Sequence, residues 1–120
     1  MDGAVVHHKQ LAESSRWAEM TFAEQMANVG SEVFRAVKWK EKGKPERTLL
    51  AADRALELLD FTIRCAQESK RNLKELMRLR EVLCDFFYGN NEYGSTQENL
   101  NKYFHEFEMK AAYQRYSQEE

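Results

Sequence analysis

From Phe22 to Val37 an apolar side chain returns every third or fourth residue: Phe22, Met26, Val29, Val33, Val37. That spacing places all five on one face of an α-helix and on both faces of a strand, so it selects helix. Three further stretches repeat the pattern: Leu49, Ala52, Leu56, Leu59, Ile63 and Ala66; then Leu73, Leu76, Met77, Arg80, Leu83, Cys84 and Phe87; then Leu100, Tyr103, Phe104, Phe107 and Ala111. Leu50, Leu58 and Phe61 widen the second stripe, which predicts a helix buried on more than one side. No strand-like alternation competes, and no internal repeat is visible.

The breaks between stripes carry the chemistry that ends and starts helices. Thr21 to Glu24 has capping-box spacing at the head of the first helix. Gly30 lies inside that helix at a cost of about 1 kcal/mol against alanine, which close approach of a neighbouring helix explains. Lys38, Lys40 and Lys42 suit the negative end of its dipole, and Gly43-Lys44-Pro45 stops it. Pro45 opens the second helix, and Ser69 is expected to cap a third that ends at Gly89. Gly89 to Gly94 is turn chemistry, and Ser95 to Glu98 has the spacing of a second capping box. Short connections favour antiparallel neighbours. The expected fold is all-α, an up-down-up-down four-helix bundle over residues 17–118, preceded by a flexible tail over 1–16. Trp17 and Met20 are expected to pack as a short leading turn.

A chain of 120 residues holds one core without staples. Its net charge of −2 provides no global basic field for nucleic acid. No apolar run approaches the roughly 20 residues that span a bilayer, so no membrane association is expected. The first residues carry neither a basic leader nor a long apolar segment, and a secretory signal is not expected. Cys65 and Cys84 fall inside helical stripes and read as free thiols in a reducing cytoplasm.

Arg80 occupies a position where the third stripe calls for a leucine. A guanidinium there must be paired, hydrogen-bonded or turned toward a partner. Glu81 and Asp85 are its nearest acids in sequence, and an ion-pair network joining Arg80 and Asp85 is expected. Other charges flank the core stripes: Glu32 and Arg35 on the first helix, Asp53, Glu57, Asp60 and Arg64 on the second, and Arg78 on the third. The candidate binding or interface residues are therefore Arg80, Glu81, Asp85, Glu32, Arg35, Asp60 and Arg78.

Metal and covalent chemistry find no footing. A di-iron bundle needs Glu-x-x-His on two helices, whereas the residue three before His105 is Lys102. His7 and His8 belong to the tail. No Gly-rich phosphate loop, serine elbow or cysteine–histidine pairing is present. No metal, cofactor or catalytic residue is assigned. Lys38, Lys40, Lys42 and Lys44, with Lys70, Arg71, Lys74 and Arg78, offer either a basic patch for RNA or ordinary solvated faces. Tyr113 and Tyr116 prolong the aromatic stripe of the fourth helix, an apolar face suited to a two-fold dimer.

The run Arg80-Glu81-Val82-Leu83-Cys84-Asp85-Phe86-Phe87, late in the third helix, resembles a degraded HEPN motif. HEPN domains are helical bundles, usually dimeric, that occur as RNase toxins of toxin–antitoxin pairs or as substrate-binding partners of nucleotidyltransferases. Active members use an arginine followed after four to six residues by a histidine, often with a tyrosine two beyond. Arg80 matches the arginine and Glu81 the polar residue after it. Asp85 stands in place of the histidine and Phe87 in place of the tyrosine. The segments Val29-Gly30-Ser31-Glu32-Val33 and Arg54-Ala55-Leu56-Glu57-Leu58-Leu59-Asp60 are also similar to a group of short uncharacterised bacterial proteins.

The resemblance implies a cytoplasmic homodimer that holds a protein partner such as a nucleotidyltransferase, or a nucleotide. An aspartate cannot donate as an imidazolium does, and its charge repels phosphate, so no metal-independent RNase activity is expected. The alternatives are a phosphate-handling enzyme with a rearranged site built on Arg80, Glu81, Asp85 and His105, and an interaction module unrelated to HEPN proteins.

Overall fold

The computed structural model describes residues 15–69 and 72–119. Helical backbone over 15–19 leads into four long helices: α1 (Phe22–Glu41), α2 (Pro45–Ser69), α3 (Leu73–Tyr88) and α4 (Gln97–Glu119). The chain is all-helical, and no strand occurs among the described residues. Most of the expected tail, residues 1–14, lies outside them.

α1 begins as its sequence requires. Thr21 Oγ1 accepts from the Glu24 N–H while Glu24 Oε1 accepts from the Thr21 N–H, so two of the helix's free donors are satisfied. Met26, Val29, Val33 and Val37 are buried as the spacing demands, with Phe22 half-buried beside them. Gly30 has the predicted reason to be glycine. A Cβ there would lie 2.8 Å from both Cβ and Cγ of Phe104 on α4, so the missing side chain is what lets the two helices meet.

Helix α1 packs against both α2 and α4, and α3 packs chiefly against α2 while touching α1 through Phe86 and α4 through Glu75. Cross-helix bonds fix the directions. Trp17 Nε1 donates to Thr62 Oγ1, so α2 runs antiparallel to α1, and Arg80 meets Asp60 while Tyr88 meets Asp53, so α3 runs antiparallel to α2. Thr21 at the head of α1 donates to Gln114 near the end of α4. Ala36, Ala51 and Ala52 form a small second cluster near the α1–α2 turn, where short side chains permit close backbone approach. Trp17 is buried, as the leading-turn reading anticipated. Its carbonyl accepts from Gln25 Nε2, which satisfies an otherwise buried amide.

Several local expectations require correction. In α3 the buried residues are Leu76, Leu79, Leu83 and Phe86, again at steps of three and four. Two stripes were compatible with this sequence, and the helix turns inward the one that carries no charge. Met77 is consequently 48% exposed, and Arg80 sits at the stripe's edge instead of its middle. In α2, Leu49 and Leu50 are exposed, while Thr48 and Thr62 are buried, each bonding the carbonyl four residues back. Ser69 is the last residue of α2 and not the cap of α3; Asn72 precedes α3 in a left-handed conformation with no side-chain cap bond. The second capping box is displaced by one residue. Thr96 and Asn99 exchange side-chain and backbone bonds ahead of α4, and Ser95 is instead tied to Asn91.

Candidate functional site

Arg80 is held by Asp60. Its Nε donates to Asp60 Oδ1 at 2.8 Å and its Nη2 to Oδ2 at 3.3 Å, a two-pronged contact that matches the planar guanidinium to the carboxylate. Nη1 points at Cys84 Sγ, 3.6 Å away and one turn on. The two side chains are 39% and 42% exposed, so the pair sits at the rim of the α2–α3 seam. The cation is therefore neither dry nor free in water. The hydrogen bond to Asp60 raises the Arg80 pKa further above its ordinary value, against the lowering effect of partial burial.

Asp85, the other half of the HEPN-like spacing, does not meet Arg80, and the expected Arg80–Asp85 network is replaced by two separate arrangements. Asp85 Oδ1 and Oδ2 accept the backbone N–H groups of Glu92 and Tyr93, and its carbonyl accepts from Gly89 and Asn91. The residue organises the whole turn after α3. Asn91 takes a left-handed backbone conformation within this turn, which asparagine tolerates better than most residues.

Glu81 accepts from the Tyr93 hydroxyl at 3.0 Å, and that bond raises the tyrosine's pKa. The Arg78 guanidinium stacks over the same ring, 4.9 Å from its centre. Thus Glu81, Asp85 and Arg78 converge on one loop, whereas Asp60 and Arg80 form their own tie. Glu32 and Arg35 remain a separate pair on α1, 3.3 Å apart. Elsewhere on α2, Arg54 pairs with Glu57, and Asp53 accepts from the Tyr88 hydroxyl at the end of α3. His105 is exposed, 3.7 Å from Glu108, and lies on the wall of the α1–α4 groove, away from Arg80 and Asp85.

Besides a recess of about 290 Å³ beside Asn28 and Arg115, three grooves cut the surface of the described residues. One of about 430 Å³ follows the α1–α4 seam past Gly30, Phe34 and Phe104. Another, of about 350 Å³, separates α3 from α4 and is lined by Arg78, Leu79, Tyr93 and Tyr103. Burial raises the Tyr103 pKa, with the carboxylate of Glu75, which accepts its hydroxyl at 3.0 Å, as the second cause. The third, of about 370 Å³, opens at the α1–α2 turn between Lys40, Lys44, Pro45, Leu49 and Phe87. Arg80 and Asp60 line none of the three.

Among the described residues no group of three or more histidines, cysteines or carboxylates is placed to hold a metal ion. No helix among them is long and apolar enough to cross a membrane. Cys65 and Cys84 are not joined in a disulfide, and both are partly exposed. Sequence spacing singled out the lysines of the third groove but missed Leu49, whose exposure depends on how α2 is rotated, and Phe87, which reaches the groove only because α3 ends beside the turn. Comparison with protein-family models, with curated proteins and with solved structures returns no match.

Proposed function

We propose that this chain is a non-catalytic interaction module, an HEPN-like four-helix bundle in the up-down-up-down sense, which pairs with a second copy and holds a protein partner in the cytoplasm. The HEPN resemblance makes a nucleotidyltransferase the first partner to test and a nucleotide the first small ligand. The observation that carries this reading is the employment of Arg80 and Asp85. In an RNase of the resembled kind, the arginine would face a phosphate and the residue at position 85 would move a proton. Here the guanidinium is taken up by Asp60, and both oxygens of Asp85 accept backbone N–H groups. Both oxygens of Asp85 are thus committed to holding the turn after α3 and not to a substrate.

Self-association is supported by the outer face of α4. Met109, Tyr113 and Tyr116 lie on one side of the helix at steps of four and three, and they are 60%, 72% and 65% exposed. An apolar row of that kind is suited to a two-fold contact.

Light scattering at micromolar concentration, together with incubation on single-stranded RNA, tests both halves. The expected result is a dimer that leaves the RNA intact, and a monomer of unchanged helix content for the Met109→Glu, Tyr113→Glu double variant. A monomeric wild type would remove the self-association. RNA degradation that disappears with Arg80→Ala would replace the module by a phosphate-handling enzyme.

A further inference from the structure

We infer that the groove at the α1–α2 turn is the docking site for an acidic segment of a protein partner, one that carries a bulky apolar side chain. The inference rests on the interaction-module reading and adds to it the partner's chemistry.

The groove has an apolar floor and a cationic rim. Pro45, Leu49 and Phe87 form the floor, with Leu49 39% exposed, and the space of about 370 Å³ has room for one or two large side chains. Lys40 and Lys44 stand on the rim. Lys40 is fastened there, its ammonium donating to the Phe86 carbonyl at 3.3 Å and lying over the Phe86 ring at 4.0 Å. Next to the rim, Lys42 and Arg47 lie over the ring of Trp39, 5.3 and 4.6 Å from its centre.

Between Lys38 and Arg47 there are five cations and only two carboxylates, Glu41 and Glu46, in a chain whose net charge is −2. None of the ion pairs among the described residues engages Lys42, Lys44 or Arg47. Concentrated, unneutralised positive charge around an apolar recess is complementary to carboxylates flanking an apolar anchor.

Two other anionic surfaces fit less well. Nucleic acid needs an open ring face for stacking, whereas Trp39 already carries two cations and Phe87, in the floor, is packed edge-to-face against Phe86. A bilayer takes apolar groups that stand clear of the surface, whereas Phe87 is only partly exposed and lines the recess.

The test is a fluorescence-anisotropy titration of the full chain with a labelled short peptide of alternating glutamate and leucine. Oligouridine RNA and phosphatidylserine vesicles are run beside it. The peptide is expected to bind saturably and to weaken with salt. Its affinity should fall about tenfold for Lys42→Glu with Lys44→Glu, and about tenfold for Leu49→Gln, because each removes one half of the match. Lys102→Glu, a charge reversal on α4 away from the groove, should alter it less than about twofold.

Equal binding by the charge-reversed and wild-type proteins would overturn the inference. So would loss on charge reversal with no effect of Leu49→Gln, or preference for RNA or vesicles over the peptide. Circular dichroism and light scattering on the same samples separate the two readings. Peptide binding lost from an intact dimer by the paired substitutions supports the groove, whereas RNA cleavage strikes the module itself.

Discussion

At the scale of single residues, Gly30 and Arg80 were both conspicuous in the sequence, for opposite reasons. Gly30 was read correctly because a glycine inside a strongly periodic helix has few explanations, and contact with Phe104 is one of them. Gly30→Ala removes a helix-weakening residue worth about 1 kcal/mol, yet it drives a methyl group into the base of Phe104, which cannot swing away from its own backbone. The net effect expected is a loss of about 1–3 kcal/mol in urea unfolding, because overpacking outweighs propensity. Arg80 was read as paired, which it is, but with the wrong acid. Sequence distance favoured Asp85, five residues away on the same helix. The partner chosen is Asp60, which the antiparallel α2–α3 seam brings alongside from 20 positions earlier. Long-range pairing of this kind leaves no local trace.

At the scale of elements, the existence and kind of the four long helices were legible and their rotations less so, while the helical segment at 15–19 was read only as a leading turn at the end of a flexible tail. The α1 stripe, and the α4 stripe as far as Ala111, face inward as read, but Tyr113 and Tyr116, taken to prolong the latter, stand on the exposed side of α4. α3 offered two overlapping stripes, and a choice between Leu79 and Arg80 depends on the surface of α2. The caps follow the same logic. Thr21 was found because its glutamate lies at the correct spacing, whereas Ser95 and Thr96 are neighbouring hydroxyls and only Asn99 decides between them.

The end of α3 is latched to α2 by the Tyr88–Asp53 bond, and this has a pH signature. Partial burial, then the bond to Asp53, raise the Tyr88 pKa from 10.0 to about 12. A pKa raised on folding contributes stability that is complete below the unfolded value and lost as pH rises through the folded one. The urea midpoint should therefore hold up to about pH 10 and fall between pH 10 and about 12. Tyr88→Phe should make that fall shallower. It should not abolish it, because the Tyr103 pKa is also raised. A profile identical in the variant would mean that the latch does not form.

At the scale of the whole molecule, packing runs from α4 to α1, α2 and α3 in that order, with a groove left between α3 and α4. The proposed working surfaces lie apart: the apolar row on α4 for a second copy, and the cationic recess at the α1–α2 turn for an acidic partner. Arg80 belongs to neither surface and serves to tie α2 to α3. A double-mutant cycle on Asp60→Asn and Arg80→Ala, followed by urea unfolding and by an RNA cleavage assay, tests that assignment most directly. A half-exposed pair of this geometry should give a coupling of about 0.5–1 kcal/mol, well below the 3–5 kcal/mol lost when a buried pair is broken, with RNA untouched by every member of the cycle. No coupling, combined with an RNA-cleaving wild type that Arg80→Ala silences, would contradict it.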